Sequence, residues 1–347
     1  VTESTATISA ACALMTAAVS IILAGLYLPK PKPWALFSFI AVVIAAGIQL
    51  AGPSIVPLFY LAWGALAVLM TSSGRMSTSV SPNSCGAFLM GLACLLIAVS
   101  AENLLSIFLT LKLFSLSVGL FYLSRGPHHC REILPVATKL FLLEFLCLAI
   151  VGFGFSLVFG IAGTGQLSEI AHIFRAKFLE VESAQPPLLG MIALVLITVG
   201  VGFQMLLIPF YFSRINLSDR ISIWHQTVAG LLSLMFGFTV YAKLIPSIFV
   251  GVEQAGLIVT GIFSAATMLV GSVLAVRSEK IKNLLVFTAL AHGGILMLSF
   301  TASFWSQAHW AVSLSVGDGF LDGSSTGLFY LIATVFAYTG VCALLMV

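Results

Sequence analysis

The sequence predicts an all-α polytopic membrane protein of about eleven transmembrane helices, and three observations carry that expectation: composition, run length and the placement of basic residues. Of 347 residues, 60% are hydrophobic and 8% charged, whereas soluble domains carry roughly a quarter charged residues. No water-soluble core explains that balance. The formal charge of +3 is small for this length, so a nucleic-acid footprint, which needs a clustered basic face, is not expected.

Mostly apolar runs long enough to cross a hydrocarbon layer of roughly 30 Å fall near 8–28, 34–51, 54–72, 85–100, 102–123, 134–161, 188–212, 223–245, 250–276, 283–303 and 325–347. The first could be mistaken for a signal peptide, but it lacks a basic leader and further spans follow, so it is read as retained. Gly52-Pro53 and Ser100-Ala101 make very short junctions, which implies tight antiparallel pairs. The polar stretches near 162–187 and 304–324 read as surface loops, and nothing reads as a linker or second soluble domain.

Basic residues concentrate on the side from which a membrane protein is inserted. One set of loops holds Lys30, Lys32, Arg75, Arg125, Arg131, Arg214, Arg220, Arg277, Lys280 and Lys282, and the opposite set holds only Arg175 and Lys177, beside Glu169, Glu180 and Glu182. Asp318 and Asp322 fall on that opposite side as well. This split places the N-terminus outside and the basic loops on the cytoplasmic or matrix side. A miscounted span would scramble it.

Ionisable side chains at membrane depth are costly, and each is a functional candidate. The fifth span carries Lys112, about ten residues from either end, too deep for comfortable snorkelling; a partner is required, with Glu144 the first candidate, or ordered water. The sixth carries Lys139 and Glu144, five positions apart, as a structural ion pair or a relay. The seventh carries Gln204, the eighth ends with Lys243 close enough to its end to snorkel, the ninth begins with Glu253-Gln254, and the tenth has His292. His292 is read equally as a packing histidine or a protonatable relay. Pro209 removes an internal hydrogen bond, which predicts a break around Leu206 to Phe210. Non-helical backbone at such depth is tolerated in protein or along a water-filled path. The six cysteines, Cys12, Cys85, Cys94, Cys130, Cys147 and Cys342, are widely spaced and read as buried apolar residues, and His128-His129 as a solvated loop pair.

Five segments in order carry a resemblance: NLLSIFLTLKLFSLSVGLFYL (Asn103 to Leu123), REILPVATKLFLLEF with Lys139, GIAGTGQLSEIA (Gly160 to Ala171), GFQMLLIPFYF with Pro209, and SEKIKNLLVFTALAHGG with Lys282 and His292. The chain resembles the antiporter-like subunit N (subunit 2) of respiratory complex I, a proton-translocating NADH:quinone oxidoreductase. The resemblance implies a fold of fourteen spans built from inverted five-helix repeats. Residues 1–84 would form three peripheral spans, 85–245 the first repeat with its broken seventh helix, and 250–347 a partial second repeat, ending at the eleventh span.

Lys112, Lys139, Glu144, Gln204, Lys243, Lys282 and His292 are thus the proton-path or coupling candidates, and at several positions that the family uses for its half-channel the chain departs. A family glutamate is replaced by Lys112, a family lysine by Gln204, and a second lysine position falls on Leu234. The implied role is a membrane-arm subunit without redox chemistry, its half-channel degraded. No catalytic, cofactor-binding or metal residue is expected; flavin, iron-sulfur clusters and quinone belong to partner subunits. The expected partners are other membrane-arm subunits and lipids, in a mitochondrial inner or bacterial plasma membrane. Two other readings stay open: a subunit of a multi-subunit cation/proton antiporter or membrane-bound hydrogenase, and a structural spacer without an ion path.

Overall fold

The computed structural model describes residues 2–27, 32–49, 55–72, 81–123, 127–179, 188–210, 221–248, 252–310 and 323–346. Of the loop charges, Lys30, Arg75, Arg125, Glu180, Glu182, Arg214, Arg220, Asp318 and Asp322 lie outside the described residues. Twelve helices stand among the described residues: α1 (Thr2–Tyr27), α2 (Lys32–Gln49), α3 (Ile55–Ser72), α4 (Pro82–Ser100), α5 (Leu104–Leu123), α6 (Pro127–Ala162), α7 (Leu167–Leu179), α8 (Leu188–Gly202), α9 (Ile223–Ile248), α10 (Glu253–Val276), α11 (Ile281–Trp310) and α12 (Gly323–Met346). Eight are long and apolar enough to cross a membrane, and α2, α3 and α8 carry shorter apolar stretches. Together they make eleven apolar helices, one for each of the eleven expected runs.

Local chemistry sets the ends. Ser81 caps α4, its hydroxyl accepting from the Ser84 amide at 3.2 Å, with Pro82 in the first turn, where a missing N–H costs nothing. Between α5 and α6 the chain continues helical from Pro127, so His128-His129 open α6 and do not form the expected loop. The stretch near 162–187 is also not all loop. Leu167, Ile170 and Phe174 are buried at helical spacing, and that stripe, with Glu169 favourable in the first turn, folds as α7. Its start is tied to α5 by the Leu104 amide donating to Gly165 O and the Leu167 amide donating to Glu102 O, both 2.9 Å.

The sequence pattern decides which helices are central. The spanning part of α9 is 83% buried, and that of α10 is 22% buried. The buried residues of α10 are all small, Gly256, Thr260, Ser264, Thr267 and Gly271, in one stripe, while Ile258, Ile262 and Leu269 point outward. Small residues let backbones approach where lipid offers no hydrophobic driving force. Accordingly Ser264 Oγ donates to Gly294 O of α11 at 2.8 Å, and Thr301 to Thr260 at 3.0 Å. Helix α6 is peripheral in the same way: Ala137, Leu140, Glu144, Cys147, Val151 and Val158 form a narrow buried stripe, and most of its remaining surface is exposed.

Candidate functional site

The broken helix organises the polar interior. Helix α8 runs 15 residues from Leu188 to Gly202, about 22 Å at helical rise and short of a full crossing. The break therefore starts ahead of the expected Leu206 to Phe210. Pro209 acts backwards: it cannot donate to the carbonyl four residues earlier and collides with it, and that residue is Met205. Turn hydrogen bonds replace the helix, with the Gln204 amide donating to Val201 O and the Leu207 amide to Gly202 O, both 2.9 Å. Leu206 lies in the left-handed region at φ 61°, unfavourable for a residue with a Cβ. The surroundings hold the segment there. Gly237 of α9 and Gly293 of α11 leave room for the backbone of Met205, and the Ile208 amide donates to Thr267 Oγ1 of α10 at 3.4 Å.

Gln204, expected one turn before the break, sits inside it, buried against α9. Its side-chain oxygen has no hydrogen-bond partner among the described residues. Nearby, a cavity of about 40 Å³ is lined by Leu206, Gln226, Thr227, Leu234, Thr334 and Tyr338, enough for one or two water molecules. The side-chain amide of Gln226 is buried there without a hydrogen-bond partner among the described residues, so it would gain from hydration. His292 adjoins this region: its Nδ1 is hydrogen-bonded to the Tyr330 hydroxyl, and its ring meets Tyr338 edge-on at 5.5 Å.

A second cavity, about 700 Å³, lies at the opposite end of α9 and gathers Tyr60, Glu102, Gln166, Thr239, Lys243 and Ser325. It unites the starts of α3, α7 and α12 with the end of α9, as alternating passes require. Tyr60 is bonded to Thr239 at 2.5 Å, and Tyr241 to Thr198 at 2.9 Å. Leu234 lines the first cavity and Phe238 the second, one helical turn apart, and Phe238 packs on Phe300 with ring centroids 4.9 Å apart.

The remaining candidates are dispersed. Lys112 does not take Glu144 as its expected partner; its ammonium lies over the rings of Phe141 and Phe145, 4.9 and 4.5 Å from their centroids. Glu144 instead accepts from Ser115 Oγ at 2.5 Å. A cation–π contact contributes about 0.5–2 kcal/mol, while a lysine at mid-membrane costs at least about 2.5–3.5 kcal/mol, so the rings offset only part of the cost. Lys139 is exposed and Glu144 buried, because five positions turn a helix by about 140° beyond a full circle, so the two side chains leave α6 on different faces. Lys282 donates to Ile221 O at 2.8 Å, tying the start of α11 to the approach to α9.

Sequence reasoning passed over His225, which is buried, bonded through Nδ1 to Ser222 at 2.8 Å, and 5.1 Å from the Phe121 ring. The signal was present, since it is an ionisable residue inside an apolar run, as His292 is. Gln226 and Tyr338 carried no such signal, Gln226 being an uncharged polar residue near a span start and Tyr338 an aromatic within an apolar run.

Residues 101–337 match the sequence profile of the NADH:quinone oxidoreductase/Mrp antiporter transmembrane family. NADH-quinone oxidoreductase subunit N of Geobacillus kaustophilus is 28% identical over 264 residues, covering 71% of this chain and 50% of that protein. Subunit N of Anoxybacillus flavithermus is 24% identical, covering 75% and 49%. The chain thus spans about half the length of these curated relatives. In fold it is similar to a chain of respiratory complex I from Thermus thermophilus (TM-score 0.68, 20% identity, covering 95% of this chain and 69% of that one). It is also similar to a chain of the Mrp complex from a Dietzia species (0.69, 16%, covering 97% and 62%). With the broken helix, the eleven apolar helices and the profile match in agreement, the chain belongs to the NADH:quinone oxidoreductase/Mrp antiporter transmembrane family.

Proposed function

We propose that the chain serves as a membrane-arm subunit of a proton-translocating NADH:quinone oxidoreductase, supporting assembly and energy coupling while its own half-channel is interrupted. In this reading residues 85–245 act as the first antiporter-like repeat and 250–347 as part of the second. The N-terminus faces outside, and flavin, iron-sulfur clusters and quinone are held by partner subunits.

The observation that carries the interruption is the apolar step along α9. Two cavities approach each other at Leu234 and Phe238, and Phe238 is closed by Phe300. A proton needs a titratable group or water at each step, and Leu234 stands where the resembling family has a lysine, as Gln204 does in the break. His292 and Glu144 are then poised to feel charge in neighbouring subunits without passing the proton across.

The test is proton stoichiometry in the intact complex. His292→Gln and Glu144→Gln are expected to leave protons pumped per electron pair unchanged in assembled complex, with any loss confined to assembly or electron transfer. A lower ratio with electron transfer intact makes this subunit a pump and removes the proposal. The likeness to an Mrp chain supports a second reading, an antiporter subunit. Mass spectrometry of copurifying proteins separates the two: a flavin and iron-sulfur arm for the first, small antiporter subunits for the second.

A further inference from the structure

The outward face of α5 and α6 is apolar: Leu105, Leu109, Leu142, Leu146 and Phe153 are all more than half exposed. Two cations open on it. Lys112 is the ninth of twenty residues of α5, and its ammonium is held over Phe141 and Phe145 instead of rising along the helix toward either end. Lys139 of α6 is exposed, and it precedes the midpoint of Phe141 and Phe145 by about one turn, on the order of 6 Å along the axis. Glu144, the nearby carboxylate of α6, is turned inward to Ser115.

A lipid tail offers these ammoniums nothing, and a charge at this depth is kept where something opposite in sign can reach it. We propose that this face docks a transmembrane helix of another subunit that carries a carboxylate at the depth of Lys112, with Lys139 available to the same acidic helix one turn away. The proposal rests on the reading of the chain as part of a multi-subunit membrane complex, but not on which complex. Phe141 and Phe145 would flank the ion pair and keep it dry, which strengthens attraction across the interface.

The experiment places a photo-crosslinking amino acid at Leu142 in the native host, with the same probe at the exposed Ile262 of α10 as control. The crosslinked peptide is sequenced. The expected product from Leu142 is a hydrophobic segment of a different subunit with Asp or Glu within one turn of the crosslinked residue. In addition, Lys112→Glu should lower the yield of assembled complex by roughly tenfold through like-charge repulsion at a dry interface. A Lys replacement of the partner carboxylate should restore that yield. Lys112→Met, analysed by size exclusion in detergent, controls for folding of the chain itself. Crosslinks to lipid alone, to a second copy of this chain, to another segment of this chain, or to a helix without a carboxylate overturn the inference, as does normal assembly of the Lys112→Glu variant. If the crosslinked helix is acidic but no flavin and iron-sulfur arm copurifies, the docking inference stands and the NADH:quinone oxidoreductase reading fails.

Discussion

A Cβ placed on Gly293 of α11 would lie 2.5 Å from the carbonyl oxygen of Met205 in the break of α8. That carbonyl is the one to which Pro209, lacking an N–H, cannot donate. The broken backbone is therefore seated on a glycine, and Gly237 of α9 makes the same allowance from the other side, a Cβ there meeting the Met205 amide nitrogen at 3.1 Å.

Gly293→Ala should push backbone against backbone, which cannot be relieved by a rotamer change. A loss of about 1–3 kcal/mol is expected for overpacking of this kind. Thermal unfolding of the purified protein in detergent reads it. Gly340→Ala, where an added Cβ meets nothing within 4 Å, should be neutral or slightly stabilising, and an equal loss there would refute the steric account.

Ser115→Ala removes the hydroxyl that donates to the buried Glu144 carboxylate. A buried acceptor deprived of its donor costs about 1–3 kcal/mol. The double-mutant cycle with Glu144→Gln is the informative measurement. Strictly additive losses would mean that the two side chains do not act as a pair.

Lys282→Met breaks the bond to Ile221 O, leaving global stability within about 1 kcal/mol while loosening the approach to α9. Hydrogen exchange should accelerate at residues 223–226 and stay unchanged in α10. Unchanged exchange at both places would show that the tether does not hold the helix start.

Tyr330→Phe deprives His292 Nδ1 of its hydroxyl partner. If the interruption on α9 blocks transfer, protons pumped per electron pair remain the same in assembled complex. The outcome that counts against the reading is a reduced ratio with normal electron transfer.

Much of this architecture was legible along the chain because a bilayer imposes a length. Runs of apolar residues had to be crossings, and the eleven runs reappear as eight long spans and three shorter apolar helices. Pro209 likewise announced a break. Other features were visible but underread: Leu167, Ile170 and Phe174 already showed the stripe of α7, and His225 already stood as an ionisable group within an apolar run.

What the sequence by itself determined, then, is which segments cross and how deep each polar side chain sits, since hydrophobic length and position in a helix are local properties. Only the tertiary structure decided where α8 stops and what each polar group meets. The break settled at Gly202 because Gly237, Gly293 and Thr267, distant in sequence, together shape the seat for its backbone. Glu144 went to Ser115 and Lys112 to two phenylalanine rings, because helix rotation is set by packing against neighbours, which charge and spacing within one span do not specify.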